Sequence, residues 1–310
     1  TPMPPVHPPD PPAAHRRYLN PGWVDPVNGR LFVKSEDAVL PNDIPTEGYH
    51  EWVVYYQVSA DGGRTFPVNE QVIQTGDWYN SSHPVNGVYV GYNFIMPHVV
   101  GVPVRTPEDK VLVPVQISRS AAGVFDSAVL IGTWTDESPG STDLTMQWDL
   151  SQRVLADTGK SSRGLFDPTI AQMPDGRILM VMRGSNQGIS APGRKWYSVS
   201  SDGGYTWSPA GEWTYSDGAG FYSPSSCSQL IETSFGRYYW IGNICASNPI
   251  GNSPRYPLVI GEVDPTSMLL MKDTVVTIDA RAAAETMSLQ LSNFSVYEDR
   301  VTHELVLNMV

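Results

Sequence analysis

The sequence predicts an all-β fold, a six-bladed β-propeller, on three observations: a composition suited to strands and turns, a series of hairpin signatures, and an eight-residue turn motif recurring at blade-like spacing. Of 310 residues, 41% are apolar and 17% charged, with 27 Gly, 27 Pro, 9 Trp and 15 Tyr. Aromatic richness with frequent Gly and Pro favours short strands between tight turns over helices. No stretch approaches the roughly 18 apolar residues of a membrane span. The net charge of −12 repels phosphate backbones over a Debye length of about 10 Å, which argues against a nucleic-acid partner. The only two cysteines, Cys227 and Cys245, lack Cys-x-x-Cys spacing, so neither a structural metal nor a cofactor is expected.

Residues 1–13, TPMPPVHPPDPPA, can join neither a helix nor a central strand and read as an extended polyproline arm. The domain division is an arm over 1–17 and a single propeller domain over 18–310. Five hairpins follow, at 24–33, 99–117, 167–183, 229–244 and 296–309, each two strands around a turn containing Gly or Asp. The turn motif appears as Ser59-Ala-Asp61-Gly-Gly63-Arg-Thr65-Phe66 and Ser200-Ser-Asp202-Gly-Gly204-Tyr-Thr206-Trp207, with a fainter relative at Asp143 to Trp148. Its Ser and Asp side chains bond backbone amides in the turn, its glycines permit positive φ, and its aromatic packs between sheets. That is a structural role. Ser59 and Ser200 stand 141 positions apart, three units of about 47, and four-stranded blades repeat every 40–50 residues or so. About 295 residues at about 49 per blade give six blades. The five hairpins then leave one blade to be completed by the strand near Leu19 to Val24 together with the C-terminal strand. Helix is expected only as a short turn near Ala280 to Glu285.

If Pro174-Asp175-Gly176 is a three-residue hairpin loop, Met173 faces Arg177 and Asp167 faces Arg183 on one sheet face. The pair reads either as a cross-strand salt bridge or as a guanidinium fork offered to a substrate carboxylate, with Asp167 orienting it or acting as a base. Arg255, in GNSPRYPLVI, is either a loop cap or a second arginine on the same carboxylate. The loop Ser234-Phe235-Gly236 places Cys227 and Cys245 on a diagonal about 7–8 Å apart, beyond disulfide reach, and predicts two free thiols.

The turn motifs and the segment FDPTIAQMPDGRILMVMR together resemble the sialidase superfamily of BNR, or Asp-box, repeat propellers, in the same order over most of residues 18–310. The resemblance implies an exo-sialidase-like glycoside hydrolase that releases a terminal anionic, carboxylate-bearing sugar from a glycan. It implies Asp167 in the place of a family Glu, Arg183 and Arg255 as carboxylate-binding arginines, and SPSSCSQL (223–230) as a Pro-x-Cys stretch. It also implies an acid/base residue in the loop NDIPTEGYHEW (42–52). There Asp43, Glu47, His50 and Glu51 can all exchange a proton, and position favours His50 and Glu51. Two departures stand out: Phe294 where the nucleophilic Tyr is expected, and YLNP (18–21) where an Arg-bearing motif is expected, which leaves Leu19 in the arginine's place. Tyr297 and Tyr222 are neighbours in sequence only. His83 and His98 flank an aromatic stretch and suit proton abstraction beside a uronate carboxylate. A polysaccharide lyase on uronate-containing polysaccharide and a non-catalytic glycan-binding propeller are therefore the alternatives. The expected partner is a glycan or oligosaccharide, with a secreted or periplasmic location favoured over a cytoplasmic one.

Overall fold

The computed structural model describes residues 14–40, 51–119 and 123–309; His50, Asp43 and Glu47 lie outside the described residues. Strand-length apolar runs fold into successive antiparallel sheets. The first sheet holds β1 (Ala14–Leu19), β2 (Trp23–Val24), β3 (Leu31–Leu40), β4 (Val53–Ser59) and β5 (Val68–Gln71), in the order β1-β3-β4-β5 with β2 also on β3. The second holds β6 (Ile95–Pro97), β7 (Val104–Arg105), β8 (Val111–Ser118), β9 (Phe125–Trp134) and β10 (Met146–Leu150), in the order β10-β9-β8-β6 with β7 on β8. The third is β11 (Phe166–Gln172), β12 (Ile178–Arg183), β13 (Lys195–Ser200) and β14 (Gly211–Glu212). The fourth is β15 (Gln229–Glu232), β16 (Tyr238–Asn243), β17 (Leu258–Val263) and β18 (Val276–Asp279). A two-stranded ribbon, β19 (Phe294–Glu298) with β20 (Leu305–Met309), completes the β structure of the described residues. Their one helix is a 3-10 turn at Lys272–Thr274. Near Ala280 to Glu285 there is only a hydrogen-bonded turn, closed by Glu285 N–H on the Ala282 carbonyl at 3.1 Å.

All five hairpins form, but the blade count is corrected. The described residues make four sheets and a ribbon, not six blades. The two Ser-x-Asp-Gly-Gly turns end β4 and β13, which lie in the first and third sheets. Their 141-residue separation therefore spans two blades of about 70 residues, the excess sitting in connections such as 72–94. The N-terminal strands also pair with β3 in their own sheet, not with the C-terminal strand. Because β1 begins at Ala14, the arm boundary drawn after residue 17 falls inside a strand.

The cores lie between successive sheets. Phe32, Tyr56, Val115, Leu130 and Trp148 join the first and second. Leu112, Ile131, Ile178, Met180 and Trp207 join the second and third, and Leu179, Val181, Trp213, Trp240 and Val259 the third and fourth. Ile241, Leu258, Phe294 and Val296 attach the ribbon. Each fully buried large apolar side chain contributes roughly 1.5–3 kcal/mol of transfer free energy. In both motif turns the Asp carboxylate accepts from the Thr backbone N–H at 2.9 Å and from the Thr hydroxyl, and the Ser hydroxyl accepts the second Gly N–H. Trp207 is buried between sheets, while Phe66 is half-buried.

Candidate functional site at one end of the inner strands

The innermost strand of the third sheet, β11, carries a bulge between Phe166 and Thr169. The hairpin register holds as expected from Gln172–Ile178 to Thr169–Val181. It then slips, so Phe166, not Asp167, stands opposite Arg183. Asp167 adopts a left-handed φ of 45° and its N–H donates to Gln116 Oε1 at 2.8 Å. Left-handed backbone at a non-glycine residue is strained and persists where surrounding contacts impose it. Here the bulge takes Asp167 off the ladder and still brings its Oδ2 within 2.7 Å of Arg183 Nη1.

Arg183, at the end of β12, is fully engaged. Its Nε donates to Ser225 Oγ at 2.9 Å, its Nη2 to Asn252 Oδ1 at 3.1 Å, and its guanidinium lies 4.4 Å over the Phe166 ring. Arg255 reaches the same place from the loop before β17: its Nη2 donates to the Ser225 carbonyl at 3.1 Å and its Nη1 to Gln290 Oε1 at 3.0 Å. The two arginines of the sequence reading thus converge on Ser225. Among the described residues Arg255 Nε is buried without a hydrogen-bond partner. His98, just past β6, sets its Nε2 3.9 Å from Asp167 Oδ1.

Three further buried charges complete the cluster. Lys34 Nζ donates to the Gly101 carbonyl at 2.6 Å, Lys195 Nζ donates to the Ser226 carbonyl, and Glu36 stands two residues beyond Lys34 on the same face of β3. Burial drives Lys34 down to about 7 against the pull of Glu36, and Lys195 down to about 7 with Arg183 acting in the same direction. Burial lifts Glu36 to about 8; Lys34 opposes this and Asp167 adds to it. For Asp167 burial works against ionisation, but the charges of His98 and Arg183 outweigh it and hold the carboxyl below its usual range. Burial lowers His98, with Asp167 opposing. In a chain of net charge −12, this is a local excess of cationic and donor groups.

Other sequence candidates fall elsewhere. Glu51 is half-buried ahead of β4 and among the described residues makes no hydrogen bond or ion pair with Asp167, Arg183 or Arg255. Arg17 pairs with Asp37 and Asn69, and Leu19 is exposed. Phe294 is wholly buried in the ribbon core. Tyr222 lies against the Arg194 guanidinium. Tyr297 borders a cavity of about 360 Å³ that also touches Trp23, Gln172 and Glu232. That cavity lies towards the opposite ends of β11 and β15, so it is not the arginine site. Sequence reasoning passed over Lys34 and Glu36, although ionisable residues at i and i+2 in the strand LFVKSEDAVL lie on one face and signal inward-facing charges. Ser225, Asn252 and Gln290 carry no comparable signal. Among the described residues no three His, Cys, Asp or Glu side chains are grouped to hold a metal ion, and no helix is long and apolar enough to cross a membrane.

Successive antiparallel sheets, with an Asp–Arg pair and a second arginine at one end of the inner strands, make a β-propeller of the BNR type. The chain belongs to the BNR repeat-like domain family, whose pattern matches residues 20–273. Among solved structures it is similar to the NanB sialidase of Streptococcus pneumoniae at a TM-score of 0.58 and 12% identity, covering 95% of this chain and 53% of that one. It is similar to a leech intramolecular trans-sialidase at 0.56 and 14%, covering 95% and 53%. It is also similar to a Penicillium chrysogenum α-L-arabinanase at 0.51 and 15%, covering 95% and 71%. At these identities the likeness is one of fold, and the chain spans about half the length of those sialidases. No curated protein matches it.

Proposed function

We propose that the protein is a sialidase-like glycoside hydrolase acting on a terminal sugar that bears a carboxylate. The observation that carries this reading is the convergence of Arg183 and Arg255 on Ser225, because two guanidinium groups held at one point form a planar, charge-assisted receptor for a carboxylate. Asp167 fixes one edge of Arg183, and the edge now on Asn252 is the one a substrate carboxylate would take. Asp167 and Glu36 are carboxyls whose surroundings drive their proton affinities apart, the pattern of acid and base partners in glycosidases. In this reading Glu36 supplies the proton to the leaving oxygen and ionised Asp167 receives the proton of the attacking water. With Phe294 buried in the ribbon core, the position where the resemblance expects the nucleophilic phenol carries none, and no covalent step is assigned. Glu51 and His50 have no assigned step. A secreted or periplasmic location belongs to the same proposal.

The test is product analysis on 4-methylumbelliferyl glycosides of sialic and uronic acids and on a uronate-containing polysaccharide. The expected outcome is release of the fluorescent aglycone from the glycosides and, from the polysaccharide, a new reducing end without the ultraviolet absorbance of an unsaturated uronate. Unsaturated, absorbing products would establish the lyase, and saturable binding without turnover the non-catalytic binder.

A further inference from the structure

The connection between the first and second sheets, residues 72–94, takes no part in the arginine cluster, yet it exposes an unusual set of rings. Trp78 is 83% exposed, Tyr92 60% and Tyr89 51%. These rings sit on a fixed frame. His83 stacks on Tyr89 with centroids 4.2 Å apart and planes 10° apart, while Tyr89 stays 51% exposed. His83 Nδ1 lies 3.1 Å from the Trp78 carbonyl, and Asn80 Oδ1 accepts the Ser82 and His83 amides. Asn93 Oδ1 accepts the Tyr89 N–H at 2.8 Å while its Nδ2 donates to the Gly87 and Ser118 carbonyls. Val85 and Val88 anchor the loop in the core.

The loop also lies on the functional face. It runs from the end of β5 into Phe94 and β6, and His98 just beyond is the residue 3.9 Å from Asp167. Ring contacts connect the two places: Phe94 to Phe125 at 5.8 Å, Phe125 to Phe166 at 5.3 Å, and Phe166 beneath Arg183.

The geometry points to residues 76–92 as a stacking platform for neutral pyranose units of the glycan, with Trp78 and Tyr89 as the contact rings. A pyranose with equatorial hydroxyls presents a flat C–H face to an aromatic ring and hydroxyls to the polar rim, and rings held in place before binding lose little entropy on contact. Exposed apolar area of this kind marks an interaction site, and the overall negative charge disfavours a nucleic-acid base as the stacked group. The inference rests on the glycan-acting reading for its ligand class, but it concerns a different set of side chains.

The experiment titrates the full chain with cellotetraose and with lactose, following red-edge tryptophan emission and heat of binding, alongside W78A, Y89A and R183A and with a free sugar acid in parallel. Trp78 is the exposed tryptophan of the nine, so stacking should change that emission saturably. Calorimetry should show W78A and Y89A binding the neutral oligosaccharides at least tenfold more weakly than the parent, while R183A still binds them and loses the sugar acid. No saturable response in the parent, or parental affinity in both ring variants, overturns the platform, whatever the sugar acid does. Concentration-dependent self-association that W78A abolishes, without sugar binding, overturns it in favour of a protein contact. Loss of the sugar-acid response alone counts against the carboxylate site and leaves the platform standing.

Discussion

Arg183 does two jobs that a single substitution can separate. It is the partner of a carboxylate only 3% exposed, and breaking a buried pair by removing one member costs about 3 kcal/mol because the other charge is left uncompensated. Arg183→Ala should therefore lose sugar-acid affinity by about a hundredfold or more and also lower the melting temperature. The folded Asp167 carboxyl titrates below its unfolded value, so the stability it contributes is present above pH of about 4 and fades as pH falls. The melting-temperature gap between parent and variant should be wide at pH 7 and close towards pH 3; a gap independent of pH would show that Asp167 is not the group left stranded. Arg183→Lys should recover only part of the affinity, because an ammonium cannot form the fork. Glu36 gives the opposite sign. Raised to about 8, it binds its proton more tightly folded than unfolded, so its contribution is complete below the unfolded carboxyl range and lost as pH climbs towards 8. Glu36→Gln should match the parent near pH 4.5 and exceed it by more than about 1 kcal/mol at pH 8, read from denaturation midpoints. Lys195, lowered by burial and Arg183, gains stability above pH 7 in parent and variant alike; Lys34 loses the upward pull of Glu36 in the variant and is lowered further, so the difference reports the coupled Lys34–Glu36 pair.

The elements show which features can be read from sequence and which arise only in three dimensions. Hairpins were legible because strand pairing is set by the turn, and a turn is local chemistry: Met173 N–H on the Arg177 carbonyl and Gly176 N–H on the Met173 carbonyl close the expected three-residue loop. The bulge at Asp167 was not legible, because it depends on Gln116 from another sheet capturing the Asp167 amide. The blade count failed for a related reason: motif spacing counts residues, and it cannot distinguish strands from an inserted platform loop. The approach to β11 shows how an element is aimed. Gly164 has a φ of 69°, and a Cβ there would collide with the Phe125 carbonyl oxygen, at the parallel bridge that joins Phe125 to Gly164. Gly164→Ala should cost several kcal/mol, on the order of 3 or more, since both backbone conformation and close approach forbid the methyl, and sugar-acid binding should fall because Asp167 follows three residues later. The Ser-x-Asp-Gly-Gly turns behave differently. Burial opposes Asp202 ionisation, but hydrogen bonds from Thr206 and Ser200 prevail and hold the carboxyl low. Asp202→Ala should lower stability by roughly 1–2 kcal/mol and leave sugar-acid affinity intact, because the turn lies at the far end of the sheet from Asp167. Reduced binding in that variant would contradict a purely structural turn.

At the scale of the molecule, stability is passed from sheet to sheet: the three largest cores are each shared by two neighbouring sheets, a smaller cluster of Ala38, Leu40, Phe94, Phe125 and Phe166 reaches three, and none is shared by all. Such near-linear architectures open from their least supported unit. Here that unit is the β19–β20 ribbon: every residue of β8 is buried, while β20 is at most half-buried. The ribbon is joined to the fourth sheet by Phe294, Val296 and two hydrogen bonds between Gln229 and the Val296 backbone, at 2.8 and 3.0 Å. Cys227 reports on this joint. Its thiol is fully buried against Ser292 and accepts the Asn293 N–H at 3.3 Å. Cys245 packs against the Pro254 and Tyr256 carbonyls, and burial pushes it up to about 11, so it reacts slowly. Both thiols are free, and the intact mass should not change on reduction. In a Cys245→Ser background, alkylation of Cys227 under native conditions should follow the opening of the ribbon. Its rate should match amide exchange of β19, with a shallow dependence on denaturant, and should run well ahead of exchange in β8. Because Arg255 is held by Gln290 at the approach to the ribbon, a ligand gripping Arg255 should slow the alkylation in proportion to its occupancy. Labelling of Cys227 that requires the same free energy and denaturant dependence as exchange in β8 would mean that the ribbon opens only with the whole propeller, and the coupling between ribbon and arginine site would fall with it.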